Sequence, residues 1–157
     1  MERTREFSAR DLEIIYQETD RLYNTIARGC GVSESAYWIL FDILESDGTI
    51  AIKALINERL IARQTVSSSL QALERRGLVD LDFLPGSSKN KQAQLTEAGW
   101  DFCQKNIKPA VDAEQRAFER MSPEDRREFV RLTTAYATYV RQELEELEAT
   151  GEEMVHE

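Results

Sequence analysis

Arg63, Gln64, Ser67, Ser68 and Gln71 fall on one side of a short helical stretch, 62–76, whose opposite side carries Val66, Leu70 and Leu73. The apolar stripe must pack inward, which turns a guanidinium, two amides and two hydroxyls outward. Such groups reach base edges or phosphate oxygens without steric bulk. The face is rich in serine and poor in glutamate, an uncommon composition for a merely solvated helix, because serine has the weaker helix propensity. A second polar cluster, Ser88, Lys89, Asn90 and Lys91, sits at the tip of a predicted β-hairpin with no acid between Leu84 and Thr96. These four residues and Thr65 are candidate contacts to a sugar-phosphate backbone. A polar-faced helix running directly into a basic-tipped hairpin is the pattern of a winged helix-turn-helix that reads double-stranded DNA.

Charge sharpens the point. Over 157 residues, 20 Lys and Arg stand against 29 Asp and Glu, a formal net charge of −9. An acidic body should repel DNA. Between Thr49 and Thr96, however, the bases Lys53, Arg59, Arg63, Arg75, Arg76, Lys89 and Lys91 outnumber the acids Glu58, Glu74, Asp80 and Asp82, so this segment carries +3 and the remainder −12. Salt screens exposed charges beyond roughly 8–10 Å, so the sign of the docking face outweighs the sum. A small local excess of bases also describes an ordinary solvated face, and charge alone does not separate the two.

Other chemistries find little support. The sequence offers no nucleophile–base pair, metal-ligand cluster or phosphate-binding glycine loop, so neither enzymatic activity nor a cofactor is expected. Cys30 and Cys103 lie far apart with no Cys-x-x-Cys spacing, which reads as two small, partly buried side chains. The single histidine, His156, lies in a polar tail where it cannot be held for acid–base work. The amino-terminal Met-Glu-Arg-Thr-Arg-Glu lacks the apolar core of a secretory leader, and no stretch approaches the ~18–20 apolar residues of a membrane span. A cytoplasmic protein off the membrane is expected. The length suits one domain, or one small domain with helical extensions.

The elements that must position the polar clusters follow from periodicity and punctuation. Ser8 and Asp11 form a capping box ahead of an amphipathic helix carrying Leu12, Ile15, Tyr16, Leu22, Tyr23 and Ile26, stopped near Gly29 and Gly31. A second helix starts at Ser33, is apolar on almost every side from Tyr37 to Leu44, and ends at Asp47-Gly48. A third, between Ile50 and Leu60, groups Ile52, Leu55 and Ile56, and the fourth, 62–76, stops at Gly77. Together these two make the helix-turn-helix. Strands 79–84 and 91–95 follow, joined through Pro85-Gly86, which suits the centre of a type II turn. Thr96 caps a fifth helix carrying Trp100, Cys103, Ile107, Val111 and Phe118, bent at Pro109. Ser122-Pro123-Glu124-Asp125 opens a sixth, 123–147, with Phe129, Leu132, Thr133, Tyr136, Val140, Leu144 and Leu147 on one face. The fold class expected is mainly α with a small β-hairpin wing.

The long outer helices carry more apolar surface than a small winged helix can cover. A second copy of the chain is the simplest cover, and a homodimer would let two recognition helices read half-sites ~34–36 Å apart or a multiple of that. A monomer whose end helices fold over its own core remains the alternative. The organisation expected is a dimerisation helix over 1–32, the DNA-binding winged helix-turn-helix over 33–98, dimerisation helices over 99–150 and a disordered tail over 151–157. Tyr16, Tyr23, Trp38 and Phe41 could line a ligand pocket between the dimerisation helices and the winged helix, although each aromatic taken alone reads better as core packing.

The stretches Gln64-Thr65-Val66-Ser67, Leu73-Glu74-Arg75-Arg76-Gly77-Leu78-Val79 and Leu95-Thr96-Glu97-Ala98-Gly99 together resemble the MarR family of bacterial winged-helix regulators, from about Ser33 to Thr150. The resemblance implies a homodimer formed by the terminal helices, a recognition helix in the major groove and a wing in the minor groove. It further implies a transcriptional repressor released by a small, often aromatic, ligand. The family wing commonly bears Asp-x-Arg, the acid steadying the loop and the arginine entering the minor groove; here Ser87-Ser88-Lys89 occupies those positions. Lysine keeps the charge but lacks the flat, weakly hydrated fork that narrow grooves favour. Two other functions stay open: a helical protein-interaction module of the same fold that does not bind DNA, favoured by the net charge and altered wing, and a thiol redox sensor built on Cys30 and Cys103.

Overall fold

The computed structural model describes residues 7–59 and 62–155. The amino-terminal residues 1–6, read above for a leader, and His156 lie outside the described residues. The chain divides into two compact units, Met1–Ala110 and Val111–Glu157.

The first unit opens with helix α1 (Ala9–Gly29), started where the Ser8 backbone N–H donates to Asp11 Oδ2 at 2.9 Å and ended at Cys30. Helix α2 (Glu34–Glu45) begins at Ser33, whose hydroxyl accepts from the Ala36 N–H, and buries Tyr37, Ile39, Leu40 and Ile43. Strand β1 (Thr49–Ala51) then leads directly into helix α3 (Ile52–Arg59). Next come helix α4 (Arg63–Arg75), strands β2 (Val79–Phe83) and β3 (Lys91–Leu95), and helix α5 (Glu97–Asn106). The sheet order is β1-β3-β2, antiparallel throughout, with Ile50 opposite Ala93 and Leu81 opposite Ala93 from the other side. Leu55, Val66, Leu70, Leu73, Val79, Ala93, Leu95, Cys103 and Ile107 close the core under α2.

The motif residues that carried the family resemblance have mechanical work. Gly77 ends α4 at φ +68°, a left-handed conformation that disfavours other residues. Thr96 Oγ1 donates to the Gly77 carbonyl at 2.6 Å and accepts from the Gly99 N–H at 2.9 Å, so one hydroxyl caps α5 and ties it to the end of α4. Gly99 lies against the Leu78 carbonyl so closely that a Cβ would collide with it. Arg76 donates to the Gly31 carbonyl at 2.7 Å and lies over the Phe102 ring at 5.4 Å, which fastens the end of α4 to the α1–α2 turn and to α5.

Helix α6 (Lys108–Glu119) bridges the two units in sequence, and the second unit's long helix α7 (Pro123–Val155) starts with Ser122 Oγ accepting from the Asp125 N–H at 3.1 Å.

Three sequence expectations change. Thr49–Ala51 is a strand rather than part of the third helix: three residues are too few to show alternation, and pairing with β3 imposes the extended state. The helix expected to bend at Pro109 is instead two helices broken at Ile107, because proline has no N–H to give the carbonyl four residues back. Helix α7 runs past Leu147 to Val155; its glutamates and methionine are good helix formers, and Gly151 costs only about 1 kcal/mol.

Candidate nucleic-acid interface

Helix α4 is set by its apolar stripe. Val66, Leu70 and Leu73 are at most 1% exposed, and Ser69, buried on the same side, shares a 2.8 Å hydrogen bond with Ser35 of α2. That anchoring leaves Arg63, Gln64, Thr65, Ser67, Ser68 and Gln71 exposed. The N-cap is Ala62, whose side chain holds no acceptor, and the first turn contains Arg63 and no acid. Both choices leave the positive end of the helix dipole uncompensated, which costs stability and suits an incoming anion.

The wing is set by its turn. The Ser87 N–H donates to the Leu84 carbonyl at 2.9 Å with Gly86 at φ +76°, the left-handed glycine that a type II turn demands. Ser87 Oγ then accepts from the N–H groups of Lys89 at 3.2 Å and Asn90 at 2.9 Å. A neutral hydroxyl therefore does the loop-steadying expected of an aspartate. Lys91 is opposite Phe83 in the ladder, and its ammonium sits 5.5 Å from the ring centroid, a cation–π contact that holds the charge at the base of the tip.

These two elements meet around one concave cleft of about 490 Å³. Arg63, Ser67 and Gln71, spaced i, i+4, i+8 along α4, line it together with Lys89, Asn90 and Lys91 of the wing. The floor is apolar, from Ile52, Ile56, Leu70, Leu81 and Leu84. Lys53 of α3 completes the rim. Gln64, Thr65, Ser68 and Ser88 are exposed but do not line the cleft; Ser68 spends its hydroxyl proton on the Thr65 carbonyl at 3.0 Å. Lys53 was missed as a site residue, although it stands in the basic count of Thr49–Thr96. The arginines at the end of α4 divide: Arg76 is committed to Gly31 and Phe102, so its charge is not free for a ligand.

The aromatics form a cluster. Tyr23 lies 4.6 Å from Trp38, Trp38 lies 5.6 Å from both Tyr37 and Phe41, and Tyr16 stands exposed on α1. Burial pushes the Cys103 thiol up to about 12, and the Cys30 thiol is raised as well. Among the described residues no group of three or more His, Cys, Asp or Glu could hold a metal ion, and no helix is long and apolar enough to cross a membrane.

No protein-family model and no curated protein matches this sequence. Solved structures do. AbsC, a MarR family transcriptional regulator from Streptomyces coelicolor, is 22% identical with a TM-score of 0.67, covering 88% of this chain and 99% of that one. Sco3205, a MarR family regulator from the same organism in complex with DNA, is 23% identical with a TM-score of 0.63, covering 87% and 91%. A DNA complex of S. aureus MepR is 18% identical with a TM-score of 0.68, covering 86% and 99%. The chain has the winged helix fold of MarR-type regulators.

Proposed function

We propose that this chain, folded as MarR-type regulators are, is a sequence-specific DNA-binding transcriptional regulator that acts as a homodimer on a pseudo-palindromic operator. One observation carries the reading: Arg63, Ser67 and Gln71 of α4, Lys89, Asn90 and Lys91 of the wing and Lys53 of α3 line one concavity. The α4 groups suit base edges in the major groove, and the lysines suit phosphates on either side. Thr65 and Ser88, exposed beside the cleft, extend the backbone contacts. Two of the three solved structures named above contain DNA. Exposed apolar residues along α1 (Leu12, Ile15, Leu22) and along α7 (Phe129, Leu132, Leu144) support a second copy as their cover. The regulator is a repressor, and a small aromatic ligand near Tyr16, Tyr23, Trp38 and Phe41 releases it.

The test is a mobility shift on DNA from the gene's own promoter region. Binding that resists competitor DNA supports the regulator. No shift at low salt supports instead the interaction module, which the net charge of −9 favours. The thiol-sensor reading has less support, because a sensor needs an exposed thiolate and the Cys103 thiol is buried and raised to about 12.

A further inference from the structure

We propose that the junction of α6 and α7 carries a binding site for a medium-chain aliphatic carboxylate, held by Arg126. The site is separate from the DNA cleft and from the ligand placed near Tyr16, Tyr23, Trp38 and Phe41, because all of its residues lie between Phe118 and Arg131. Phe118 of α6 and Pro123, Arg126, Arg127, Val130 and Arg131 of α7 line a concavity of about 570 Å³. Its apolar groups are Phe118, Pro123 and Val130, the last 53% exposed, and the methylene stems of the arginines add to them. This is not the face assigned to a second copy: Pro123, Arg127 and Val130 stand roughly 100–160° around α7 from the stripe of Phe129, Leu132 and Leu144.

The charges leave one cation over. Arg127 pairs with Glu124 at 2.9 Å and Arg131 with Glu128 at 2.6 Å. Of the other nearby acids, Asp125 accepts from the Ser122 hydroxyl at 2.7 Å and Glu119 from the Gln115 amide at 2.8 Å. Among the described residues no carboxylate pairs with Arg126, which is half-buried with its guanidinium 6.0 Å from the Phe118 ring centroid. Arg126 also stands near the start of α7, where the helix dipole disfavours a cation, so helix stability does not account for it. A bound anion would offset both the charge and the dipole. One unneutralised guanidinium selects a monoanion, and its planar fork matches a carboxylate. Because Arg126 already lies over the Phe118 ring, the other walls are aliphatic, which selects an alkyl chain over a stacked aromatic ring.

Equilibrium dialysis of labelled octanoate against the unmodified full chain tests the site. Saturable, equimolar binding is expected, displaced by unlabelled octanoate and by neither octylammonium nor inorganic phosphate. Arg126→Gln should weaken octanoate binding roughly ten-fold or more, as loss of a charged hydrogen bond does, and Arg126→Lys, which keeps the charge, should restore part of it. Val130→Glu, which sets a carboxylate in the concavity, repeats the test should Arg126→Gln fail to fold, with helix content read by circular dichroism. Binding unchanged in either folded variant, or displacement by octylammonium or phosphate, overturns the proposal. So does the absence of bound octanoate at millimolar concentration, the result expected if a second copy already covers the concavity. A mobility shift on promoter DNA is read separately: its absence counts against the regulator reading and leaves the carboxylate site standing.

Discussion

The hydroxyl of Ser87 accepts a hydrogen bond from the backbone N–H of Asn90 at 2.9 Å, within a tip that also presents Lys89. Its removal should loosen the tip without changing the charges of Lys89 and Lys91. Ser87→Ala is expected to lower DNA affinity a few-fold with an unchanged salt slope, and Ser87→Asn, which keeps a short acceptor, to restore it. Anisotropy titrations at several salt concentrations read both quantities.

Lys89 of the wing tip and Lys53 of α3 line the same cleft. Lys89→Ala and Lys53→Ala should each weaken binding to all sequences alike and reduce the salt slope by about one. An unchanged slope would remove that lysine from the phosphate contacts.

On the proposed function, Arg63 and Gln71 read bases rather than phosphates. Arg63→Ala or Gln71→Ala should cost about 1–3 kcal/mol on the preferred operator and relax discrimination at one base position. Titration against single-base operator variants separates this from a uniform loss.

Gly99 has the Leu78 carbonyl where a Cβ would stand. Backbone cannot swing aside as a side chain can, so Gly99→Ala should destabilise the protein by about 1–3 kcal/mol. Thermal melting should fall by roughly 2–4 °C for each kcal/mol lost.

Cys103 is fully buried, and its thiol is raised from 9.0 to about 12. The folded protein keeps this proton where the unfolded chain has lost it, so its stabilising effect is intact below pH 9 and disappears as the pH rises towards 12. Urea stability should fall more steeply above pH 9 in the unmodified protein than in Cys103→Ala. Iodoacetamide at neutral pH should label Cys30 well before Cys103, as read by mass spectrometry.

How much of this was legible beforehand depends on how local its cause is. Residues 62–76, the Pro85-Gly86 turn and the Ser122-Pro123 helix start could be read directly, because a helical stripe, a left-handed glycine and a cap are decided within a few neighbouring residues. The three-residue strand β1 was not readable, since only its pairing with β3 makes it one.

The sequence by itself determined the polar face of α4, the basic wing tip and the apolar stripe of α7, all consequences of residue order and helical or strand period. Only the tertiary structure decided which of those groups act together. It brought Lys53 beside Arg63, Ser67 and Gln71, withdrew Arg76 into a contact with Gly31 and Phe102, and gave Ser87 the steadying role of an acid. The physical reason is distance: charge and hydrogen-bond chemistry act over a few ångströms, and a linear chain does not specify which remote residues come that close until its core is packed.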